Sequence, residues 1–100
     1  MYKATLLYSQ PTDPEAFESY YFTKHMDLAA KVPNVARIET ARTAPNPDGS
    51  QPAVFRTAEM WFTDLPSLQS ALGSPEGQAA FADCATFADG GFDVFVSIVD

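Results

Sequence analysis

The chain has 100 residues, of which 46% are hydrophobic and 13% are aromatic, a composition typical of one compact globular domain. Thirteen acidic residues outnumber six basic residues, and the resulting net charge of −7 disfavours binding to phosphate backbones and to anionic lipid surfaces. We therefore expect a single domain over residues 1–100 that binds neither nucleic acid nor membranes.

Cysteine and histidine usage limits the chemistry further. The single cysteine, Cys84, has no partner for an internal disulfide, and one histidine, His25, leaves too few ligands for a closed zinc site. The residues after Met1 show no signal-peptide core, so the cytoplasm is the expected compartment. Cys84 shares the apolar side of its predicted helix and has no basic neighbour, which predicts an inert packing residue.

The first half of the chain predicts a strand, a helix and two further strands. Residues 2–8 are rich in aromatic and β-forming residues, which is typical of a strand. Asp13-Pro14-Glu15 marks the start of a helix, and Pro33-Asn34 ends it. Residues 35–43 and 53–62 then have strand composition, and the proline-rich segment between them contains an Asp-Gly turn.

The second half predicts a broken helical region and a last strand. Leucines spaced three and four apart indicate a short helix from Leu65 to Gly73, and Pro75 starts a second piece that stops at Gly90. Residues 92–99 form the last predicted strand. The order strand, helix, strand, strand, helix pair, strand predicts an α+β, ferredoxin-like βαββαβ fold with a four-stranded antiparallel sheet.

Apolar residues are expected on both faces of this sheet. By strand alternation, Phe55 and Trp61 lie on one face of the third strand, and Phe95 and Val99 lie on one face of the last strand. A patch of these four side chains would be unusual on a soluble monomer, because its burial is favourable. We expect a homodimer that forms through the open face of the sheet.

His25 is the candidate for acid–base chemistry, because histidine is the side chain that most readily exchanges a proton near neutral pH. At 100° per residue it lies about 80° from Phe17, on the flank of the buried side of the first helix. Asp27 points about 160° away from it, so a carboxylate partner must come from another element. The alternative is a structural histidine at the edge of the core that bonds a backbone carbonyl.

Aromatic side chains between the first helix and the sheet are candidates for binding a small hydrophobic ligand. They offer apolar walls and phenol donors, although an ordinary aromatic core is the alternative. The residues concerned are Tyr8, Phe17, Tyr20, Tyr21 and Trp61.

The charged residues give weaker indications of function. Arg37, Arg42 and Arg56 lie in predicted strands, where one of them could neutralise a ligand carboxylate, but solvent or an interface is the simpler expectation. The acidic residues are scattered and are typical of a solubilising surface. No nucleotide-binding, serine-hydrolase, zinc-protease or calcium-loop motif is present, and we expect neither a metal nor a cofactor.

The segment from Phe17 to His25, continued by Leu28-Ala29 and residues 31–33, is similar to the EthD family of the dimeric α+β barrel superfamily. The similarity extends to residues 72–78 and to Ala82-Asp83. The resemblance therefore covers most of the chain.

The resemblance implies a homodimer whose two sheets pack face to face, with a pocket between each sheet and its helices that His25 borders. EthD-like proteins are associated with bacterial breakdown of ethyl tert-butyl ether, where the founding protein accompanies a cytochrome P450 system. Superfamily relatives include monooxygenases, isomerases, cyclases and haem-using enzymes, so kinship alone selects no reaction. The chain departs from the family motif at Asp27, where the family has proline, and at Asn34, where it has glycine.

Two hypotheses of different classes follow. The first is a small catabolic or secondary-metabolism enzyme of oxidoreductase, isomerase or cyclase type that acts without a cofactor on a small apolar oxygenated compound. His25 would shuttle a proton, and the tyrosines would bind a substrate oxygen. The second is a non-catalytic protein that binds a hydrophobic ligand or supports an oxygenase, and a haem-binding form with His25 as axial ligand is a further alternative.

Overall fold

Four antiparallel strands form one sheet in the order β2-β3-β1-β4. In the computed structural model, which describes residues 1–100, the strands are β1 (Tyr2–Ser9), β2 (Arg37–Arg42), β3 (Val54–Phe62) and β4 (Phe92–Ile98). β1 pairs with both β3 and β4, so β2 and β4 are the two edges of the sheet. The predicted α+β class with a four-stranded antiparallel sheet is confirmed.

The helices cover one face of the sheet, and each of the longer ones begins at a side-chain cap. The elements are α1 (Pro14–Tyr20), a π-helical segment (Tyr21–His25), α2 (Met26–Ala29), α3 (Leu65–Gly73) and α4 (Pro75–Phe87). Asp13, Asp64 and Ser74 accept hydrogen bonds from backbone N–H groups at the starts of α1, α3 and α4. None of these helices has the length and apolar character needed to cross a membrane.

The first helix differs from the regular helix that the sequence predicted as far as Pro33. In the π segment the Met26 N–H donates to the carbonyl oxygen of Tyr21, five residues back, which widens the turn. The wider turn places His25 on the buried side instead of on its flank. Regular helix ends at Ala29, and Asn34 has a φ of 64°, a left-handed conformation that asparagine tolerates.

Side-chain alternation divides the sheet into a helix-covered face and an open face. Ala4 and Tyr8 of β1 lie on the helix-covered face, and they belong to two buried clusters under the helices. One cluster contains Tyr8 and Phe17, and the other contains Ala4 and Phe62. α4 packs against both the π segment and α2, so these elements lie together over the sheet.

A β-bulge at the start of β3 makes the predicted exposure of Phe55 wrong. The register shifts between Tyr8 and Ser9, so that Phe55 and Arg56 together oppose Tyr8. Phe55 therefore turns toward α1, where it is buried and packs edge-on against Phe17 with 5.0 Å between ring centroids.

The open face is consequently less apolar than the sequence suggested. Trp61 lies there, but Lys3 Nζ and the Arg37 guanidinium cover its ring at 5.4 and 4.8 Å from the centroid. Phe95 of β4 remains 47% exposed on the same face. Thr5 lies in β1, the strand flanked by β3 and β4. It is buried on this face, and its Oγ1 has no hydrogen-bond partner.

A second exposed apolar surface lies on the helix-covered side of β4, at the edge that the helices leave open. We call it the β4 strip. It consists of Val94, Val96 and Ile98, which are 38%, 48% and 74% exposed.

Candidate functional site

The π segment and α4 bring His25 together with Asp83. His25 Nδ1 and Asp83 Oδ2 are 2.9 Å apart, and the two side chains are only 7% and 11% exposed. Because a carboxylate oxygen accepts hydrogen bonds, the contact places the proton of a neutral imidazole on Nδ1 and leaves the lone pair on Nε2. The partner of the histidine is thus a carboxylate from another element, and not a backbone carbonyl.

The second ring nitrogen of His25 is free. Nε2 has no hydrogen-bond partner in the chain, and 7% of the His25 side chain is exposed. The ring itself is packed between aromatic side chains, with its centroid 4.7 Å from that of Phe87 and 5.3 Å from that of Tyr21. The imidazole is therefore fixed in orientation while one nitrogen stays available.

Tyr20 holds the other oxygen of the Asp83 carboxylate. Its hydroxyl donates to Oδ1 at 2.7 Å, and this hydrogen bond raises the pKa of Tyr20, so the phenol remains protonated at neutral pH. The Tyr20 ring also lines an outer cleft of about 280 Å³ between α1 and the end of α4. A chain of hydrogen bonds thus runs from this cleft through Tyr20 and Asp83 to His25.

His25 also borders a small apolar cavity between the helices and the sheet. The cavity measures about 50 Å³, which is space for one or two water molecules. Its walls come from β1, β3, the π segment and α4, and they include Leu6, Tyr8, Tyr21, Ala58, Met60 and Cys84.

An apolar groove lies beside this cavity, between α2 and β2, and we call it the α2–β2 groove. It measures about 330 Å³ and shares Met26, Ala29 and Ile38 with the cavity wall. Its further lining includes Ala30, Val32 and Val35. Cavity and groove together reach the lower end of the volumes that small-molecule sites usually have, about 300 to 1,000 Å³.

The tyrosines of the cavity wall keep their protons. Burial raises the pKa of Tyr8, and burial raises the pKa of Tyr21 to about 12, with the nearby Arg56 acting in the opposite direction. The Tyr21 hydroxyl makes no hydrogen bond within the chain, and the side chain lines the cavity. It is therefore a phenol donor that a ligand oxygen can accept from.

The Tyr8 hydroxyl is hydrogen-bonded to the Cys84 sulfur. The Cys84 thiol lies 3.7 Å from the carbonyl oxygen of Ala80 and donates to it, so the Tyr8 hydroxyl, 3.4 Å away, donates to the sulfur. Burial raises the pKa of the Cys84 thiol, which disfavours the reactive thiolate. These contacts agree with the packing role predicted for Cys84, although the residue also lines the cavity.

Three of the five predicted ligand-binding aromatics lie away from the cavity, namely Tyr20, which lines the outer cleft, Trp61 and Phe17. Trp61 is on the open face of the sheet, because it pairs with Lys3 and alternates with the residues that face the helices. Its placement in a cleft between helix and sheet was wrong. Phe17 is buried in the aromatic core and borders the outer cleft instead of the cavity.

Arg56 is buried, contrary to the expected position in solvent or at an interface. Its guanidinium donates to the Glu18 carboxylate at distances of 2.7 to 3.0 Å and lies over the rings of Tyr21 and Phe22. The pair ties α1 to β3 beside the π segment. Arg37 and Arg42 are exposed, as the sequence indicated.

Sequence reasoning missed Asp83 by assigning the acidic residues to the surface. A signal was present, because Asp83 lies three residues after Ala80 and four residues before Phe87, on one side of the helix. A carboxylate within such an apolar series indicates a buried partner. No group of three or more histidine, cysteine or acidic residues is placed to hold a metal ion.

Comparison with known proteins assigns the chain to a family. It matches the EthD domain over residues 9–91. The chain belongs to the EthD family. An uncharacterised 11.0 kDa protein from the thcB-thcC intergenic region of Rhodococcus erythropolis is 38% identical over 91 residues, which are 91% of this chain and 87% of that protein.

Solved structures agree with this assignment. An EthD family protein from Bacillus halodurans is 31% identical and superposes with a TM-score of 0.92 over 100% of this chain and 99% of its own. Two structures share the fold alone. SnoaB, a cofactor-independent oxygenase from Streptomyces nogalater, is 15% identical with a TM-score of 0.70 over 98% and 91% of the two chains. A dimeric protein of ferredoxin-like fold from Bacteroides fragilis is 18% identical with a TM-score of 0.68 over 98% and 95%.

Proposed function

We propose that this EthD family protein is an enzyme that moves a proton on a small apolar, oxygen-containing organic compound. The observation that carries the proposal is the His25 imidazole, held at Nδ1 by Asp83 while Nε2 stays free beside an apolar cavity. A fixed, unprotonated imidazole nitrogen is the arrangement that general-base catalysis requires. No tightly bound cofactor is needed for this step.

In the proposed mechanism, His25 Nε2 removes a proton from the ligand and becomes part of an imidazolium. The Asp83 carboxylate stabilises that cation, and the effect is strengthened because the apolar surroundings screen charge weakly. Tyr20 keeps Asp83 in place through its hydrogen bond to Oδ1. Return of the proton to a different atom of the ligand gives an isomerase or cyclase reaction.

The substrate oxygen is proposed to accept a hydrogen bond from Tyr21, whose hydroxyl is protonated and unpaired. The donor would stabilise negative charge that develops on that oxygen when the proton leaves. The apolar walls of the cavity and groove favour a hydrophobic body. A carbonyl compound fits the proton transfer, because removal of the proton beside a carbonyl group places negative charge on its oxygen as an enolate.

Hydrogen–deuterium exchange tests the proton transfer without knowledge of the product. Small apolar ketones and lactones are incubated with the protein in D₂O, with and without oxygen, and deuterium uptake at carbon is followed by mass spectrometry. We expect catalysed exchange into at least one compound, its loss in His25→Gln, and its reduction in Asp83→Asn. The exposed residue Asp27 gives the control variant Asp27→Asn, which should exchange normally.

Two results would decide against the enzyme. Exchange that is unchanged in His25→Gln would remove the proposed base. Binding of the test compounds, seen as NMR shifts of cavity residues without any exchange or product, would favour the alternative of a non-catalytic ligand-binding or accessory protein.

We also propose that the chain is a homodimer in which the open faces of the two sheets meet. Phe95 and Leu7 lie on that face, and the buried Thr5 Oγ1 lacks a partner that a second copy could supply. A structural neighbour is dimeric, which supports the proposal at the level of the fold. Native mass spectrometry of the purified protein should give twice the chain mass, and a stable monomer would refute the dimer.

A further inference from the structure

The two groups that would act on a ligand line the cavity and not the groove. His25 and Tyr21 belong to the cavity wall, whereas neither of them lines the α2–β2 groove. The cavity of about 50 Å³ has space for one or two water molecules, or for roughly two or three non-hydrogen atoms that are bonded to each other. The reacting carbon and the carbonyl group must therefore form a small end of the ligand.

The free hydrogen-bonding groups of the cavity match a single ligand oxygen. The Tyr8 hydroxyl already donates to the Cys84 sulfur, so the free donor is the Tyr21 hydroxyl. The other free group is His25 Nε2, the proposed base. A second carbonyl oxygen buried in the cavity would have no donor, and an unpaired buried polar group is costly. The cavity therefore fits one carbonyl oxygen and one carbon beside it.

The α2–β2 groove offers the space for the rest of the ligand. It measures about 330 Å³ and adjoins the cavity at Met26, Ala29 and Ile38. Arg37 is the one residue of its lining that is not apolar, and the Arg37 guanidinium lies over the Trp61 ring on the open face of the sheet. A charged ligand group in the groove would lose water without gaining a partner. The groove therefore fits an uncharged hydrocarbon body.

We infer that the ligand is a ketone of the form CH₃–CO–R, with its acetyl end in the cavity and a hydrocarbon group R in the α2–β2 groove. The choice of the acetyl end rests on the proposed function, since His25 decides which end reacts. His25 Nε2 takes a proton from the methyl carbon, and the electron pair of the broken C–H bond forms the C=C bond of an enolate. Tyr21 donates a hydrogen bond to the enolate oxygen. In D₂O the imidazolium exchanges its proton with solvent, so a deuteron returns to the methyl carbon.

Two isomeric ketones distinguish this arrangement from a site that binds any apolar compound. 2-Heptanone has an acetyl end, whereas 4-heptanone has the same atoms with a propyl group on each side of the carbonyl. We expect catalysed deuterium exchange to be roughly tenfold or more faster for 2-heptanone, because a propyl group does not fit the cavity. Deuterium NMR should place the label in the methyl group and not in the CH₂ group on the other side of the carbonyl.

Chain length and a groove variant test where the group R lies. From acetone to 2-heptanone, kcat/KM for exchange should rise about two- to fourfold for each CH₂ that enters the groove. Ala30 is exposed and lines the groove but not the cavity, so Ala30→Phe fills the groove without altering the core. The ratio of kcat/KM for 2-heptanone to that for acetone should fall roughly tenfold in this variant.

Ala79→Phe is the matched control, because Ala79 is an exposed position on α4 that lines neither space. It should keep the wild-type ratio, and far-UV circular dichroism checks that both variants are folded. An unchanged ratio in folded Ala30→Phe would overturn the placement of R in the groove.

Methyl NMR locates the ligand without any need for catalysis. Met60 lines the cavity alone, and Val35 lines the groove alone. We expect acetone to shift the methyl signal of Met60 only, and 2-heptanone to shift the signals of both residues. A bound 2-heptanone that leaves Val35 unchanged would overturn the inference, and it would indicate that another occupant fills the groove, such as a second copy of the chain.

Failure of this inference and failure of the proposed function give different results. Binding of 2-heptanone at both positions without deuterium uptake would refute the enzyme and support the position of the ligand. Exchange that His25→Gln abolishes, but that is equally fast for the two heptanones, would support the enzyme and refute the acetyl end. Absence of both binding and exchange for every ketone would refute both.

Discussion

Arg56 and Glu18 form an ion pair beneath the start of the π segment, with 6% and 21% of their side chains exposed. Removing an arginine from water costs several kcal/mol, and the cost is offset only when the carboxylate is present. The guanidinium also lies over Tyr21, the first residue of the π segment. The pair therefore positions the segment that carries His25.

Replacing Arg56 by methionine should destabilise the protein by roughly 2 to 4 kcal/mol, because Glu18 is left as an uncompensated, mostly buried charge. The double variant with Glu18→Gln should recover part of this loss. The free energy of unfolding from urea titrations measures both. Arg42→Met, at an exposed position, is the control, and an equal loss in that variant would contradict the role of the buried pair.

The residue type alone identified His25 as a candidate base, but it did not identify the carboxylate that holds it. A histidine among apolar positions is visible in the sequence, whereas Asp83 lies 58 residues away and reaches His25 only through the packing of α4 on the π segment. Local spacing excluded Asp27 but contained no information on that long-range contact. For the same reason, Tyr20 was a candidate through its ring, and its hydrogen bond to Asp83 was unforeseen.

The element that supplies Asp83 is held by a close approach between α3 and α4. A Cβ atom on Gly77 would lie 2.1 Å from the backbone carbonyl oxygen of Ala71, which no side-chain rearrangement can relieve. Glycine at this position thus lets the start of α4 pack directly on the end of α3.

Gly77→Ala should therefore destabilise the protein by about 1 to 3 kcal/mol through overpacking at the junction. Gly73→Ala is the matched control, because a Cβ there meets no atom within 4 Å and its backbone needs no positive φ. We expect Gly73→Ala to be neutral or slightly stabilising in thermal unfolding. Similar losses in both variants would mean that helix propensity, and not the close approach, decides the effect.

Element order was predictable, and two local irregularities were not. Strand composition, caps and prolines located every strand and helix to within a few residues. The π segment at Tyr21–His25 and the bulge at Phe55 each alter which way the following side chains point. Both depend on tertiary packing, and neither leaves a local sequence signature. They account for the errors in the burial of His25 and Phe55.

Across the whole molecule, acid should weaken the fold. Three exposed carboxylates accept hydrogen bonds that lower the pKa of each carboxyl below its ordinary value of 3.8. The pairs are Asp48 with Ser50, Asp64 with Ser67, and Asp89 with Thr12. A group with a lowered folded-state pKa contributes stability above its unfolded-state pKa and loses that contribution as the pH falls through the folded-state value. The loss is therefore expected below about pH 4.

Asp64→Asn isolates one of these contributions. Asparagine caps a helix about as well as aspartate but does not titrate, so the variant should lose less stability than wild type between pH 5 and about 2.5. Urea midpoints at a series of pH values measure the difference. Parallel curves for the two proteins would show that the Asp64 hydrogen bonds to Ser67 do not contribute to acid sensitivity.

The sequence was sufficient to predict a dimer, but it did not place every residue on the correct face of the sheet. Two-sided strands led to the expectation of a dimer, but alternation alone placed Phe55 on the wrong face. The exposure of the β4 strip could not be foreseen, because it depends on how far the helices extend over the sheet. Edge strands with apolar side chains became visible only in the structure.

The central claim is that Asp83 fixes the His25 proton on Nδ1 and leaves Nε2 as the base. Because the chain contains one histidine, a long-range ¹H–¹⁵N correlation spectrum reports its tautomer without assignment ambiguity. In the neutral imidazole of His25 we predict a protonated Nδ1 and an unprotonated Nε2, with loss of this preference in Asp83→Ala. A proton on Nε2 in the wild-type protein would contradict the account.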